Sequence, residues 1–229
     1  MGWSSHHPNG LIYYAPQHTY RGYTLTTNNR GYDANLLDME GRIVHRWHSD
    51  EGIGYAYLLP YGNLLVRTEP PKDANGAETI GASAAAILEL DWDGNVVWEY
   101  RDKYIHHDYE RLVNGNTLVM MFELLSPELT AQVQGGTHSE DDPPQMFSDV
   151  VREIAPDGSV VYEWKAWEHL DPEQDAICPL EDRKEWTHGN SINATPEGDL
   201  IVSFRRISTV GIVNKATGNF SWKWGRGQI

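Results

Sequence analysis

Leu36-Leu37-Asp38-Met39-Glu40-Gly41-Arg42-Ile43-Val44-His45-Arg46-Trp47 spells out a β-hairpin: an apolar strand, an acidic turn ending in glycine, and a strand whose Ile43, His45 and Trp47 alternate onto one face. The pattern returns three times. Gly94, Gly158 and Gly218 each follow an apolar run and a polar turn. At offsets of two, four and six stand Val96, Trp98 and Tyr100; Val160, Tyr162 and Trp164; Phe220, Trp222 and Trp224. A second turn follows in three units, at Pro60-Tyr61-Gly62-Asn63, Val113-Asn114-Gly115-Asn116 and Pro196-Glu197-Gly198-Asp199. Each runs into an apolar strand beginning at Leu64, Thr117 or Leu200.

Two hairpins per unit make four strands, and the first-turn glycines lie 53, 64 and 60 residues apart. Four-stranded units at that period read as blades of an all-β propeller, three to four of them and therefore incomplete. A β-sandwich or another antiparallel solenoid fits the repeat count and register less well. The two turn glycines are 21 residues apart in the first two units but 40 apart in the third, so about 19 residues are inserted there. We expect one partial propeller domain over 1–229. It carries a long polar loop at 123–147 and an insertion at 166–185. The loop reads equally as a lid over the blade mouths or as a surface excursion. Helical signal is confined to 127–134 and 168–176. The fourth unit runs only 11 residues beyond Gly218, short of a second hairpin. The expectation is a fragment, or a ring completed by a second chain such as another copy in a homo-oligomer.

A formal net charge of −15 argues against nucleic acid and anionic membrane surfaces as partners. Cys178, the single cysteine, allows no internal disulfide. No signal peptide is read in residues 1–14, and no apolar run is long enough to span a membrane. The lone thiol leans toward the cytoplasm, although localisation is not fixed by it.

Two histidine clusters occupy equivalent places between an aromatic strand and a second turn: His106-His107-Asp108 and Trp186-Thr187-His188-Gly189-Asn190-Ser191. Equivalent positions in successive blades face one central axis, so these polar groups should meet in one pocket. Arg205 ends the strand after His188 and is expected to face the same pocket. Arg206, one residue further, is expected on the opposite face. Histidine and arginine together suit an anion, because guanidinium and imidazolium N–H groups fit oxyanions, and a neutral imidazole can attack an electrophile. His6, His7, His18, His45, His48, His138 and His169 read as structural or surface residues. No spacing matches a metal signature, and the Asp91-Trp92-Asp93-Gly94-Asn95 turn needs no ion, so neither metal nor cofactor is expected. Asn193-Ala194-Thr195 has the glycosylation acceptor pattern, which carries little without a secretory signal.

The stretch 35–47, His106-His107-Asp108 with Asn114-Gly115-Asn116-Thr117-Leu118, Trp186-Thr187-His188-Gly189-Asn190-Ser191-Ile192, Val202-Ser203-Phe204-Arg205 and Thr217-Gly218-Asn219-Phe220-Ser221-Trp222 together resemble the arylsulfotransferase family, from about Tyr23 onward. The resemblance implies a six-bladed propeller that moves a sulfuryl group between phenols, without a nucleotide donor, through a sulfated histidine. It implies that His107 (or His106), His188 and Arg205 surround the sulfuryl oxygens, with His106, Asp108 and Asn190 helping to bind an aryl sulfate or phenol. The family's nucleophilic histidine lies in a later blade, beyond the segment matched by Trp224-Gly225, and matches nothing here. A non-catalytic propeller binding an anion or a protein partner is the alternative. A quinoprotein-type propeller is suggested only by the tryptophan repeat.

Overall fold

Every first-turn and second-turn glycine singled out by the repeat adopts the left-handed conformation, with φ between 73 and 98° at Gly41, Gly62, Gly94, Gly115, Gly158, Gly198 and Gly218. A side chain there would be strained, which is why the turns are legible as glycine positions. The computed structural model describes residues 13–137 and 145–225. His6, His7, His138, most of the N-terminal stretch and the Asp141-Asp142-Pro143-Pro144 run lie outside the described residues. The described residues group into two compact units, one running through Glu69 and including Ala86–Glu99, the other comprising Pro70–Ala85 and the described chain from Tyr100 on.

In the first unit β1 (Thr24–Thr27), β2 (Asp33–Leu37) and β3 (Ile43–His48) form an antiparallel meander. β4 (Tyr55–Leu58), β5 (Leu64–Arg67), β6 (Ser83–Leu90) and the start of β7 (Val96–Arg111) pair in that order. Leu64, Val66, Leu88 and Leu90 are buried with Ala34, Leu36 and Trp47. Burying these side chains supplies the main favourable term, at about 1.5–3 kcal/mol for each large one.

In the second unit the rest of β7 pairs with β8 (Thr117–Leu124), then β9 (Phe147–Ile154) and β10 (Val160–Lys165). A further four-stranded antiparallel sheet runs β11 (Gly189–Ala194), β12 (Leu200–Phe204), β13 (Thr209–Val213) and β14 (Phe220–Gly225). The fold is all-β, built from the up-and-down four-stranded sheets of a β-propeller. The blades differ from the repeat in phase. The hairpins pair out of phase with the repeat: the second hairpin of one sequence unit adjoins the first hairpin of the next, and the 16-residue β7 lies between β6 and β8 in a continuous seven-stranded order.

Two devices tie neighbouring hairpins together. The last aromatic of one unit donates its indole N–H to the next unit's turn carbonyl: Trp47 Nε1 to Asp91 O at 3.0 Å, and Trp164 Nε1 to Gly218 O at 2.8 Å. Buried carboxylates at matching positions clamp the second turns. Glu89 accepts from Asn63 at 2.7 Å and Tyr61 at 3.1 Å; Glu153 accepts from Asn116 at 2.5 Å and also pairs with Lys215. On β14 the equivalent aromatics Trp222 and Trp224 are exposed.

A short helix α1 (Pro127–Gln132) forms as expected, capped by the Ser126 side chain on Leu129 N. The 168–176 segment is not a helix. It holds the end of a single 3-10 turn over Ala166–Glu168, and then Asp171 turns the chain by accepting from the N–H groups of Glu173 and Gln174. The stretch after α1 is stitched to the third-unit insertion: Ile177 N donates to Gln134 O at 2.9 Å, Thr137 N to Glu181 O at 2.7 Å, and Arg183 reaches Gly135 O at 2.6 Å. Carboxylates of the insertion are thereby delivered beside His188.

Candidate functional site

Both histidine clusters sit where a strand loses its register with its neighbour. The β7–β8 pairing shifts between Ile105 and Tyr109, and the β11–β12 pairing between Gly189 and Ser191. Such bulges re-aim side chains at the end of a sheet. His107 and His188 carry positive φ, 41° and 54°, a conformation uncommon outside glycine that clusters at functional positions. Backbone bonds hold them there: His107 N to Ala82 O and Arg205 N to His188 O, each 3.0 Å. The two imidazoles meet edge to face with ring centres 4.6 Å apart.

Behind His107 lies a buried polar chain. His106 is fully buried, stacked on Phe122 with centroids 3.8 Å apart. Its Nδ1 lies 3.0 Å from His107 Nδ1, and its Nε2 lies 3.0 Å from Asp149 Oδ1, off the line of a hydrogen bond. Asp149 also accepts from Gly189 N at 3.0 and 2.9 Å and from the Thr187 hydroxyl. Gly189 is required by this approach, since a Cβ there would stand 2.7 Å from Asp149 Oδ1. Asp108 is buried and accepts Ile192 N at 3.0 Å. His106 and Asp108, expected to touch substrate, are thus engaged with protein groups below the surface, while Asn190 is exposed on β11.

His188 is anchored from the other side. Its Nδ1 lies 2.9 Å from both carboxylate oxygens of Glu185, which is 2% exposed. Arg206 Nη2 lies 3.1 Å from Glu185 Oε1, and Arg206 Nη1 donates to Asp182 Oδ1 at 2.8 Å. Burial works against the Arg206 charge, but Asp182 and Glu185 more than compensate and hold the guanidinium firmly protonated. The expectation that Arg206 faces away is therefore corrected. β12 ends at Phe204, the chain turns, and strand alternation no longer governs the next two residues. Arg205 is the more exposed of the pair and lies 3.1 Å from Glu181.

A cavity of about 390 Å³ opens over this cluster, lined by His188, Arg205, Arg206, Glu185, Lys184 and Thr79 among others. A second cavity of about 240 Å³ shares Thr79, Ile80 and Lys184 with it and adds Phe147 and Gln145. The site thus places a polar, charge-rich recess next to a more apolar one. The repeat offsets paired His107 with His188, whose rings are in contact, and Arg205, read from its place after the His188 segment, lines the cavity with His188. The offsets missed Asp149 and Glu185, whose signals were an acid in the otherwise apolar Phe147–Ile154 run and an acid directly before Trp186-Thr187-His188.

Solved structures similar to the chain are distant in sequence. A protein of unknown function from Bacteroides caccae matches with TM-score 0.53 at 12% identity, covering 90% of this chain and 58% of that one. A streptogramin B lyase gives 0.50 at 14%, with 90% and 52% covered. The hydrazine synthase of Kuenenia stuttgartiensis gives 0.51 at 14%, with 84% and 49% covered. The chain therefore spans about half the length of these structures, and at such identity they speak to the fold alone. No curated protein matches the chain. The arylsulfotransferase (ASST) family profile matches residues 75–229, a span that includes both histidine clusters and the Arg205–Arg206 turn. With the profile covering well over half of the sequence, the chain belongs to the arylsulfotransferase family.

Proposed function

We propose that this chain supplies the sulfuryl-binding part of a PAPS-independent aryl-sulfate sulfotransferase site. The observation that carries the reading is the contact of the His107 and His188 rings, 4.6 Å between centres, with His188 lining a cavity together with two arginines. In this reading the sulfuryl oxygens lie against His107, His188 and Arg205, which offset the negative charge that builds there as the S–O bond to the phenol breaks. The aryl ring takes the adjoining recess by Ile80 and Phe147. The sulfuryl group passes to a histidine and then to a second phenol. By the family pattern that histidine comes from a later blade than those that carry His107 and His188. Residues 1–229 form part of one propeller domain.

The test is binding and turnover measured side by side. Phenyl sulfate should raise the melting temperature of the chain in a concentration-dependent way, and His188→Gln should abolish that rise. A version of the protein with the remaining blades should release p-nitrophenol from p-nitrophenyl sulfate when phenol is added. No stabilisation by phenyl sulfate, together with no release by the complete protein, rules the reading out.

A further inference from the structure

The buried acid beside His188 has no role in the arrangement so far. Glu185 is 2% exposed, and both its carboxylate oxygens stand 2.9 Å from His188 Nδ1. Its other neighbour is Arg206, 3.1 Å away and itself tied to Asp182. A buried carboxylate is costly unless it is paired and hydrogen-bonded. Here it is held on one side by a guanidinium and on the other by an imidazole nitrogen. A carboxylate has no proton to give, so only an Nδ1–H on His188 satisfies the contact. The backbone restricts the ring further: His188 sits at φ 54°, with its carbonyl bonded to Arg205 N.

We propose that Glu185, clamped by Arg206 and Asp182, is a positioning residue that fixes the Nδ1–H form of His188 and leaves Nε2 as the nitrogen that exchanges a proton in the cavity. This deepens the sulfuryl-transfer reading and rests on it for the identity of the ligand, but the ring form itself does not depend on any ligand. Neutral Nε2 can take the proton of an acceptor phenol; once protonated, it returns that proton to a departing phenolate. Throughout, the Nδ1–H bond to Glu185 stays intact and the carboxylate spreads the imidazolium charge. Among the described residues, the charged and titratable groups around the ring are Glu185, His107 and, through Glu185, Arg206, with Arg205, Lys184 and Asp182 lining the same cavity.

The experiment is a two-bond proton–nitrogen correlation spectrum of the intact chain labelled with ¹⁵N-histidine. It is recorded over rising pH until the ring nitrogen signals no longer change, and the alkaline plateau is the spectrum read. His188→Gln identifies the signal by its loss. The wild type should show one form, with Nε2 in the unprotonated nitrogen range and Nδ1 in the protonated range. Glu185→Gln should shift both nitrogens toward intermediate values, as the ring loses its preference. An Nε2–H form or a mixture in the wild type overturns the proposal, and so does an unchanged spectrum in a folded Glu185→Gln variant. If Glu185→Gln does not fold, the wild-type spectrum alone decides. Phenyl sulfate binding is scored separately: its failure with the expected ring form removes the sulfuryl reading and leaves the positioning role standing.

Discussion

Replacing Gly189 by alanine should destabilise the site from within. The added Cβ would stand 2.0 Å from Met120 Cε and 2.7 Å from Asp149 Oδ1. The Met120 methyl ends a flexible side chain and can move aside. Asp149 cannot easily do so, because its carboxylate is gripped by Gly189 N at 3.0 and 2.9 Å and by the Thr187 hydroxyl. Pushing it away forfeits a hydrogen bond to a charged group, about 1.5–3 kcal/mol. Overpacking adds about 1–3 kcal/mol. The stiffer unfolded chain returns about 0.4–1 kcal/mol, for a net loss of about 1.5–5.5 kcal/mol. In a domain of this size that corresponds to a fall of roughly 3–22 °C in melting temperature. Calorimetry with urea titration measures it, and Gly22→Ala, where nothing lies within 4 Å of the added Cβ, is the control. A Gly189→Ala variant within about 0.5 kcal/mol of wild type, the range of ordinary surface changes, would refute the tight Asp149–Gly189 contact.

Trp164→Phe should cost about 1–3 kcal/mol, since it leaves the Gly218 carbonyl without its indole donor, and Trp164→Ala about 3–5 kcal/mol, both read by denaturant unfolding. Burial raises the pKa of Glu153, but Lys215 and Asn116 lower it further, below its usual 4.5 overall. Its stabilisation is therefore complete above the ordinary carboxylate range and is lost as pH falls through the lower folded value; Glu153→Gln should flatten the acid limb of the stability curve, as urea titrations at successive pH values would show. Arg205→Ala should change stability by no more than about 1 kcal/mol, its ion pair with Glu181 being exposed, yet weaken phenyl sulfate binding by roughly tenfold in isothermal titration. Arg206→Met should instead cost about 3–5 kcal/mol, because it strands Glu185 in the interior, and the same unfolding assay reports it.

The hairpins were legible because each turn demands a residue that tolerates positive φ, and glycine marks that demand in the sequence. The pairing of hairpins into sheets was not. A repeat gives spacing, but it does not say that the long strand β7 lies between β6 and β8 in one seven-stranded order. His107 and His188 could be paired from their equivalent offsets, since the repeat carries positional meaning. Glu185 and Asp149 escaped that logic. Glu185 arrives on an insertion with no counterpart in the other repeats, and Asp149 becomes informative only once β9 lies beside Thr187 and Gly189. Arg206 was misread because an alternation rule was carried two residues past the end of β12.

The indole latches have a consequence for how such a chain tolerates change. Each joins a donor in one repeat to a main-chain oxygen in the following one, so the coupling is directional and concerns nearest neighbours only. Chain added between the two hairpins of a unit leaves both ends of the latch where they were. The third repeat illustrates this: it accommodates the extra segment that brings Glu185 to His188 while Trp164 still reaches Gly218. Novel chemistry can thus be spliced into one sector at little expense to the joints on either side.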